Sequence, residues 1–271
     1  MVHVSREGSR GPYLLDLAKE SGLVVTDMVD LQPWNEWAEK VSEVCCLIEV
    51  DSHCVLPRPV FGKSMDRPFK FRKATDAEMR SRVGRNWPIV RDEVRRMPES
   101  WSPPFEPIDV RLEMSKDGGA GLLSKCDIDP TVVAITGVTG GSSNAIEHWE
   151  NWCKSGIRSY HMKRNNAALS DGVSRMSPWI HYGMISTTRM VRDASSIGGK
   201  GAEKFLDEML VFREHAQHHV HATDNPDAWG NIPGWAISSW NDRNPELSEL
   251  SAVELERGMS GYRLWDSAQT G

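Results

Sequence analysis

Two short apolar runs, each closed by an acid, constrain this chain more than anything else in it. Leu23-Val24-Val25-Thr26-Asp27 is one, and Cys46 to Val50 (CLIEV), followed by Asp51, is the other. Between them, Asn35 to Val44 (NEWAEKVSEV) has the apolar spacing of an amphipathic helix. Strand, helix, strand at this distance predicts a right-handed crossover and a parallel pair, with strands of the buried kind. A helix over Gly11 to Glu20 precedes the first strand. Two strands do not fill a doubly wound layer, so the half-sheet is expected to be incomplete at its N-terminal side.

The remainder reads as a connection and then helices. Val55 to Thr139 is rich in Pro, Arg and Gly, with one helix expected around Asp76 to Met97, and resembles a long segment draped over a surface. From Ser142 to Ile157, Ser and Asn caps lead into a helix with Ile146, Trp149 and Cys153 on one stripe. Ser177-Pro178 is expected to open another helix, with Ser as N-cap and Pro in the first turn. Glu203 to Val220 reads as one amphipathic helix turning Phe205, Leu206, Met209, Leu210 and Phe212 to the core, and Ser251 to Arg257 as a short helix stopped by Gly258. The expected organisation is an α/β lobe over 1–60, a connecting segment over 61–141 and an all-α lobe over 142–271.

Composition excludes some function classes. No run approaches the ~20 apolar residues of a membrane span, and the start has no apolar core with a cleavage site. The five cysteines show no CxxC or Cys/His finger spacing, which favours free thiols in a reducing intracellular compartment, cytoplasm or nucleus. A net charge of −6 argues against a protein that coats nucleic acid, yet the charge is uneven. Twelve Lys/Arg face five Asp/Glu between Arg58 and Arg96, and five face twelve from Glu203 onward. The basic stretch reads either as a phosphate-contacting surface or as a solvated helix face. Eleven tryptophans are available for packing, for stacking on bases or for relaying electrons to a redox cofactor.

Asp171 to Gly183 (DGVSRMSPWIHYG) carries the most chemical information. Hydroxyl residues and Arg175 stand just before a helix N-terminus, where free N–H groups and the positive dipole end suit an anion such as a pyrophosphate; an ordinary cap before a core helix is the alternative. A second constellation is His215-Ala216-Gln217-His218-His219-Val220-His221. Helical spacing puts His215 with His218 or His219 on one face, and Glu214, Asp224 or Asp227 stands near as a third metal ligand; surface histidines are the alternative, because H-E-x-x-H is not matched. Gly137 to Ser143 lacks the Lys of a phosphate loop and reads as a linker with a cap.

Ser174 to Ser186, SRMSPWIHYGMIS, resembles the S-x-L-S-P-Y-L-H-F-G-x-I-S signature of the photolyase and cryptochrome family. Upstream, Tyr160 to Asn166 resembles the family's Y-x-x-x-R-N-D segment; downstream, FLDEMLVFREHAQHH from Phe205 resembles the class II form F-L-E-E-L-I-V-x-R-E. IPGWAISSW, AVELERG and GYRLWDSAQ, with LVVTD and IEVDSHCVLP in the first third, resemble further class II segments, colinearly from about Val4 to Gln269. The resemblance implies a partial parallel Rossmann-like sheet in an N-terminal α/β lobe, joined to an incomplete all-α FAD-binding lobe of the photolyase type. It implies light-driven repair of cyclobutane pyrimidine dimers in damaged DNA by electron transfer from reduced FAD, a carbon–carbon lyase reaction. Tyr160, Ser174, Arg175, Met176 and Ser177 are expected at the FAD phosphates. Glu208 matches the carboxylate that hydrogen-bonds the dimer, Phe212 stands where a lesion-stacking Trp is usual, Arg213 and Glu214 match the charged pair at the DNA side, and Trp265 matches one member of the flavin-photoreducing Trp chain.

The same resemblance places further strands before this chain and further flavin-contacting groups after Gln269. The chain is therefore expected to be truncated at both ends, to bind flavin weakly alone, and to associate with itself or a complementing chain. Asp266 and Arg263 also depart from the family's usual Asn and Pro. The competing readings are an inactive or light-independent DNA-binding remnant of the fold, and a metal-dependent enzyme built on the histidine helix; the resemblance itself assigns no metal.

Overall fold

Leu23–Asp27 (β1) and Cys46–Val50 (β2) pair in parallel, with Val25 opposite Ile48. The structure, a computed structural model, describes residues 3–4, 11–85, 100–129, 131–132, 134–242 and 250–270. Helix α1, Tyr13–Lys19, precedes β1, and α2, Trp34–Ser42, makes the crossover, burying Ala18 and Val41. The sheet order is β1-β2 among the described residues. Asp27 ends β1 and Asp51 directly follows β2, and both acids hold the strand exits in place. The Ser52 hydroxyl donates to Asp27 at 2.7 Å, and Asp51 accepts from the backbone of His53, Cys54 and Arg58.

The segment expected to drape over the surface instead enters the core. Helix α3, Arg58–Phe61, is followed by α4, Pro68–Val83, which starts eight residues before the expected helix because Arg67 is extended and Pro68 fits a first turn. Phe71, Thr75 and Met79 repeat at i, i+4 and i+8 and are buried with Val55 and Leu56. The expected extension to Met97 lies outside the described residues. Two short helices follow, α5, Val110–Asp117, capped by the Asp109 carboxylate, and α6, Ala120–Leu123.

The helical core begins with α7, Ser142–Ser155, which buries Ala145, Trp149 and Trp152, while Ile146 and Cys153 are half-buried. A turn over Ile157–Ser159 leads to α8, Tyr160–Lys163, then α9, Ser177–His181, α10, Thr187–Ile197, and α11, Gly199–Asp207. Trp149 is fully buried, donates to Asp193 at 2.9 Å, and packs with Trp152 and Phe205.

Instead of one continuous helix after Glu203, a π-helical stretch over Glu208–Arg213 separates α11 from α12, Glu214–His221. The wider turn shifts the register of the faces. Val211 and Met209 point to the core, and Phe212, expected inside, is 46% exposed. Such stretches recur at functional sites.

The chain divides into two compact units at Asp224, inside the segment expected to be a single helical lobe. The second unit contains α13, Gly234–Asn241, α14, Ala252–Glu256, with a full capping box at Ser251 and Glu254, and α15, Arg263–Thr270. No described helix is long and apolar enough to cross a membrane.

Candidate functional site

The π-helical turn positions a charged cluster on the first unit. Arg164 Nη1 and Lys204 Nζ both contact Glu208 Oε1, at 2.9 and 2.8 Å, and the Glu208 side chain remains partly exposed. Lys204 also lies 5.3 Å from the centre of the Phe212 ring. Glu208 and Phe212 therefore surround one ammonium, and both retain exposed surface.

Tyr160 joins this cluster. Its ring packs edge-on against Trp152 and Phe205, and its hydroxyl hydrogen-bonds Arg164. Burial, and then the Glu208 charge, push that hydroxyl above the usual phenol range. Arg164 and Lys204 were not singled out from sequence. The signal was present in the i, i+4 spacings Tyr160–Arg164 and Lys204–Glu208 on helices.

The stretch before α9 is partly as expected. Met176, not Ser177, occupies the cap position, so the start is displaced by one residue, and no side chain caps it. Ser177 and Arg175 are exposed and Ser174 half-buried, and Arg175 adopts a left-handed φ of 52° while donating to the Ser170 carbonyl. His148 Nε2 donates to the Ser174 carbonyl at 2.9 Å and anchors the loop on α7. The Met176 side chain lies in the hydrophobic core, so it can offer a ligand only backbone. The exposed Ser177 hydroxyl, the Arg175 guanidinium and an uncapped helix start suit an anionic phosphate, though Pro178 removes one first-turn donor.

The Arg213–Glu214 pair is placed differently from the DNA-side role that the family pattern implies. Glu214 is fully buried, accepting from Val55 N–H at 2.7 Å and Leu56 N–H at 3.2 Å. Burial pushes its carboxyl up to about 7. Arg213 donates to the His53 carbonyl at 2.8 Å, where Thr187 also donates. Both residues clamp the 53–56 strand exit onto the helices, and burial takes Glu214 out of reach of DNA.

Arg58, the first residue of the basic stretch, is buried too. It donates to Asp51 at 2.9 Å, to Asp30, and to the Met28 carbonyl at 2.7 Å. Burial opposes ionisation of Asp51, but the hydrogen bonds and charge of Arg58 prevail and hold its carboxyl below the ordinary range. On α4, Lys70, Arg80 and Arg82 pair with Asp66, Asp76 and Glu78 one turn earlier. These cations thus belong to a self-neutralising helix face. The part of the basic stretch beyond Arg85 lies outside the described residues. A recess of about 1110 Å³ beside α4 is walled by Arg72, Lys73, Arg80, Arg85 and Arg192 together with Asp76, Glu203 and Asp207.

The histidines of α12 are each engaged with other groups, and the His215 and His219 rings stack with their centroids 6.5 Å apart. His215 Nε2 donates to the Met65 carbonyl, His219 Nδ1 and the Ser64 hydroxyl share a hydrogen bond, and His221 donates to Asp30. His218 is buried and donates from Nε2 to the Leu56 carbonyl at 3.0 Å. In the second unit, half-exposed Trp265 donates from its indole to the Leu255 carbonyl at 3.1 Å.

No protein-family model matches the chain. Deoxyribodipyrimidine photo-lyase of Methanothermobacter thermautotrophicus is 25% identical over 94% of this chain and 54% of its own length. The protein of the same name from Potorous tridactylus is 21% identical over 92% of this chain and 46% of its own length. The one from Streptomyces griseus is 29% identical over 48% of this chain and 26% of its own. The chain thus spans about half the length of the relatives it matches most fully. Among solved structures, a Synechocystis cryptochrome superposes with a TM-score of 0.62 at 13% identity, over 94% of this chain and 52% of that one. A bacterial class III photolyase from Agrobacterium tumefaciens gives 0.61 at 17% identity over the same shares. The chain has the photolyase/cryptochrome fold, with a partial α/β part and a helical part, and its sequence is similar at low identity to deoxyribodipyrimidine photo-lyases.

Proposed function

We propose that this chain carries the lesion-side surface of a class II photolyase that repairs cyclobutane pyrimidine dimers in DNA. The observation that supports the reading most is Glu208. Two cations hold its carboxylate, which remains partly exposed, and the exposed Phe212 ring shares the Lys204 ammonium with it. A thymine presents an N3–H donor, and a carboxylate accepts it. A dimer distorts the duplex and flips out at low cost, and an aromatic face then receives it by stacking. Phe212 supplies a smaller π-face than the indole usual at this position, so recognition leans more on Glu208.

FAD fits this reading through two groups of residues. Ser174, Arg175 and Ser177 would hold its phosphates at the uncapped start of α9, and Tyr160 would stand near the Glu208 cluster. Bound and reduced, the flavin would supply the photoexcited electron. The chain's own part is to orient the dimer: Glu208 by hydrogen bonding, Arg164 and Lys204 by fixing Glu208, Phe212 by stacking. Trp265 would take part in flavin photoreduction. Ultraviolet-damaged DNA is the partner.

The test is light-dependent loss of dimers from an irradiated oligothymidine, with protein reconstituted with FAD under reductant. Repair in light and none in darkness is expected. Intact dimers after illumination of protein with bound, reduced flavin would rule the reading out.

A further inference from the structure

His218 leaves a puzzle that photorepair does not absorb. Its Nε2 donates to the Leu56 carbonyl, so in the neutral ring the lone pair resides on Nδ1. That Nδ1 is buried and has no hydrogen-bond partner among the described residues. A buried acceptor without a partner is costly and calls for an explanation. Cys54 and Glu214, both buried, complete the neighbourhood: one donor atom from each of Cys54, Glu214 and His218 lies within 4.8 Å of the others.

We propose that Cys54, Glu214 and His218 form a structural site for a zinc-type divalent cation, pinning the β2 exit to α12. Thiolate, carboxylate and imidazole are the donor types zinc takes, and the set is mixed and borderline-soft as zinc prefers. Charge also balances. A thiolate and a carboxylate supply two negative charges, the imidazole none, and a divalent cation cancels them in a place where an unpaired charge is costly. The nearby Arg58 does not compete, because Asp51 and Asp30 occupy its guanidinium.

The second shell is the kind that metal-bound histidines carry. The ring's other nitrogen donates to a backbone carbonyl, fixing tautomer and orientation. Glu214 is likewise oriented by the Val55 and Leu56 amides, which leave further lone pairs on each oxygen. Binding replaces the Cys54 thiol proton with the metal and releases that proton to solvent. Because all three side chains are buried, the cation is taken up as the chain folds. The site differs from the His215–His219 face that helical spacing favours, because Cys54 is far away in sequence.

The test uses the full chain, produced in zinc-supplemented medium and, separately, refolded with Co²⁺. Elemental analysis is expected to give about one zinc per chain. X-ray absorption at the zinc edge should show one sulfur at about 2.3 Å and nitrogen or oxygen at about 2.0–2.2 Å. The Co²⁺ form should show a thiolate-to-metal charge-transfer band that Cys54→Ser abolishes and Cys153→Ser retains. Metal-free protein from both preparations, a zinc shell without sulfur, or a band that survives Cys54→Ser would each overturn the assignment. The absorption experiment needs no variant, so it decides the matter even where Cys54→Ser does not fold.

Discussion

Glu208 and Glu214 flank the same π-helical turn, and their environments send them to opposite tasks. Glu214 has both oxygens bonded to backbone amides in the interior, whereas Glu208 pairs with Arg164 and Lys204 and stays partly exposed. Half-exposed ion pairs such as those of Glu208 contribute about 0–1 kcal/mol each, so Glu208→Ala should leave the urea midpoint nearly unchanged. A hydrogen bond to a charged group is worth about 1.5–3 kcal/mol, so the same substitution should lower dimer repair by about ten-fold or more in a light-driven assay. A large fall in stability with unchanged repair would move Glu208 from recognition to scaffold. Arg58 is the opposite case. Arg58→Met strands Asp51 and Asp30, and losing one partner of a buried ion pair costs about 3–5 kcal/mol, read as an earlier urea midpoint. Arg58→Lys keeps the charge without the planar fork and should fall between.

At the scale of elements, the position of the Glu208 cluster depends on how closely α11 approaches the turn before α8. Gly201 makes that approach possible: a Cβ there would lie 2.0 Å from the Ile157 carbonyl oxygen and 2.5 Å from that of Arg158, with no flexible side chain to give way. Gly201→Ala should therefore push α11 away, costing about 1–3 kcal/mol by the usual scale of overpacking. It should also loosen the Lys204–Glu208–Arg164 contacts, so repair should fall together with the melting temperature. Glu208→Ala affects repair alone, and that contrast separates the two mechanisms. Much at this scale was legible from periodicity. Both strands fall on the expected residues, and α1, α2, α7 and α14 agree with their sequence ranges to within a few positions at each end. The π-helical turn was not legible, because Phe205, Met209 and Phe212 fit a regular helix equally well; only the tertiary placement of Val211 inward and Phe212 outward distinguishes them. The start of α4 was hidden for a related reason, since Pro68 reads as a breaker unless its place at a first turn is known.

The long-range contacts that organise the whole first unit were beyond sequence spacing. Cys54, Val55 and Leu56 meet Glu214 and His218 only because α12 packs over the exit of β2, and no local pattern encodes that meeting. What was legible is the thinness of the sheet, and the structure gives it a physical consequence. Leu23, Val25, Ile48 and Val50 share one face, each exposed, whereas Val24 and Leu47 on the other face are half-buried. A parallel sheet is ordinarily covered on both faces. An exposed apolar face with unpaired edges among the described strands favours association. Sedimentation velocity should show a coefficient that rises with protein concentration. Val25 and Ile48 sit directly opposite each other, so Val25→Glu with Ile48→Lys places an opposite-charge pair across the strands without burying either charge. The double variant should sediment independently of concentration and melt within about 1 kcal/mol of the parent, because each side chain is already exposed. A parent chain that stays monomeric across the same concentrations would show that this face has no cohesive role.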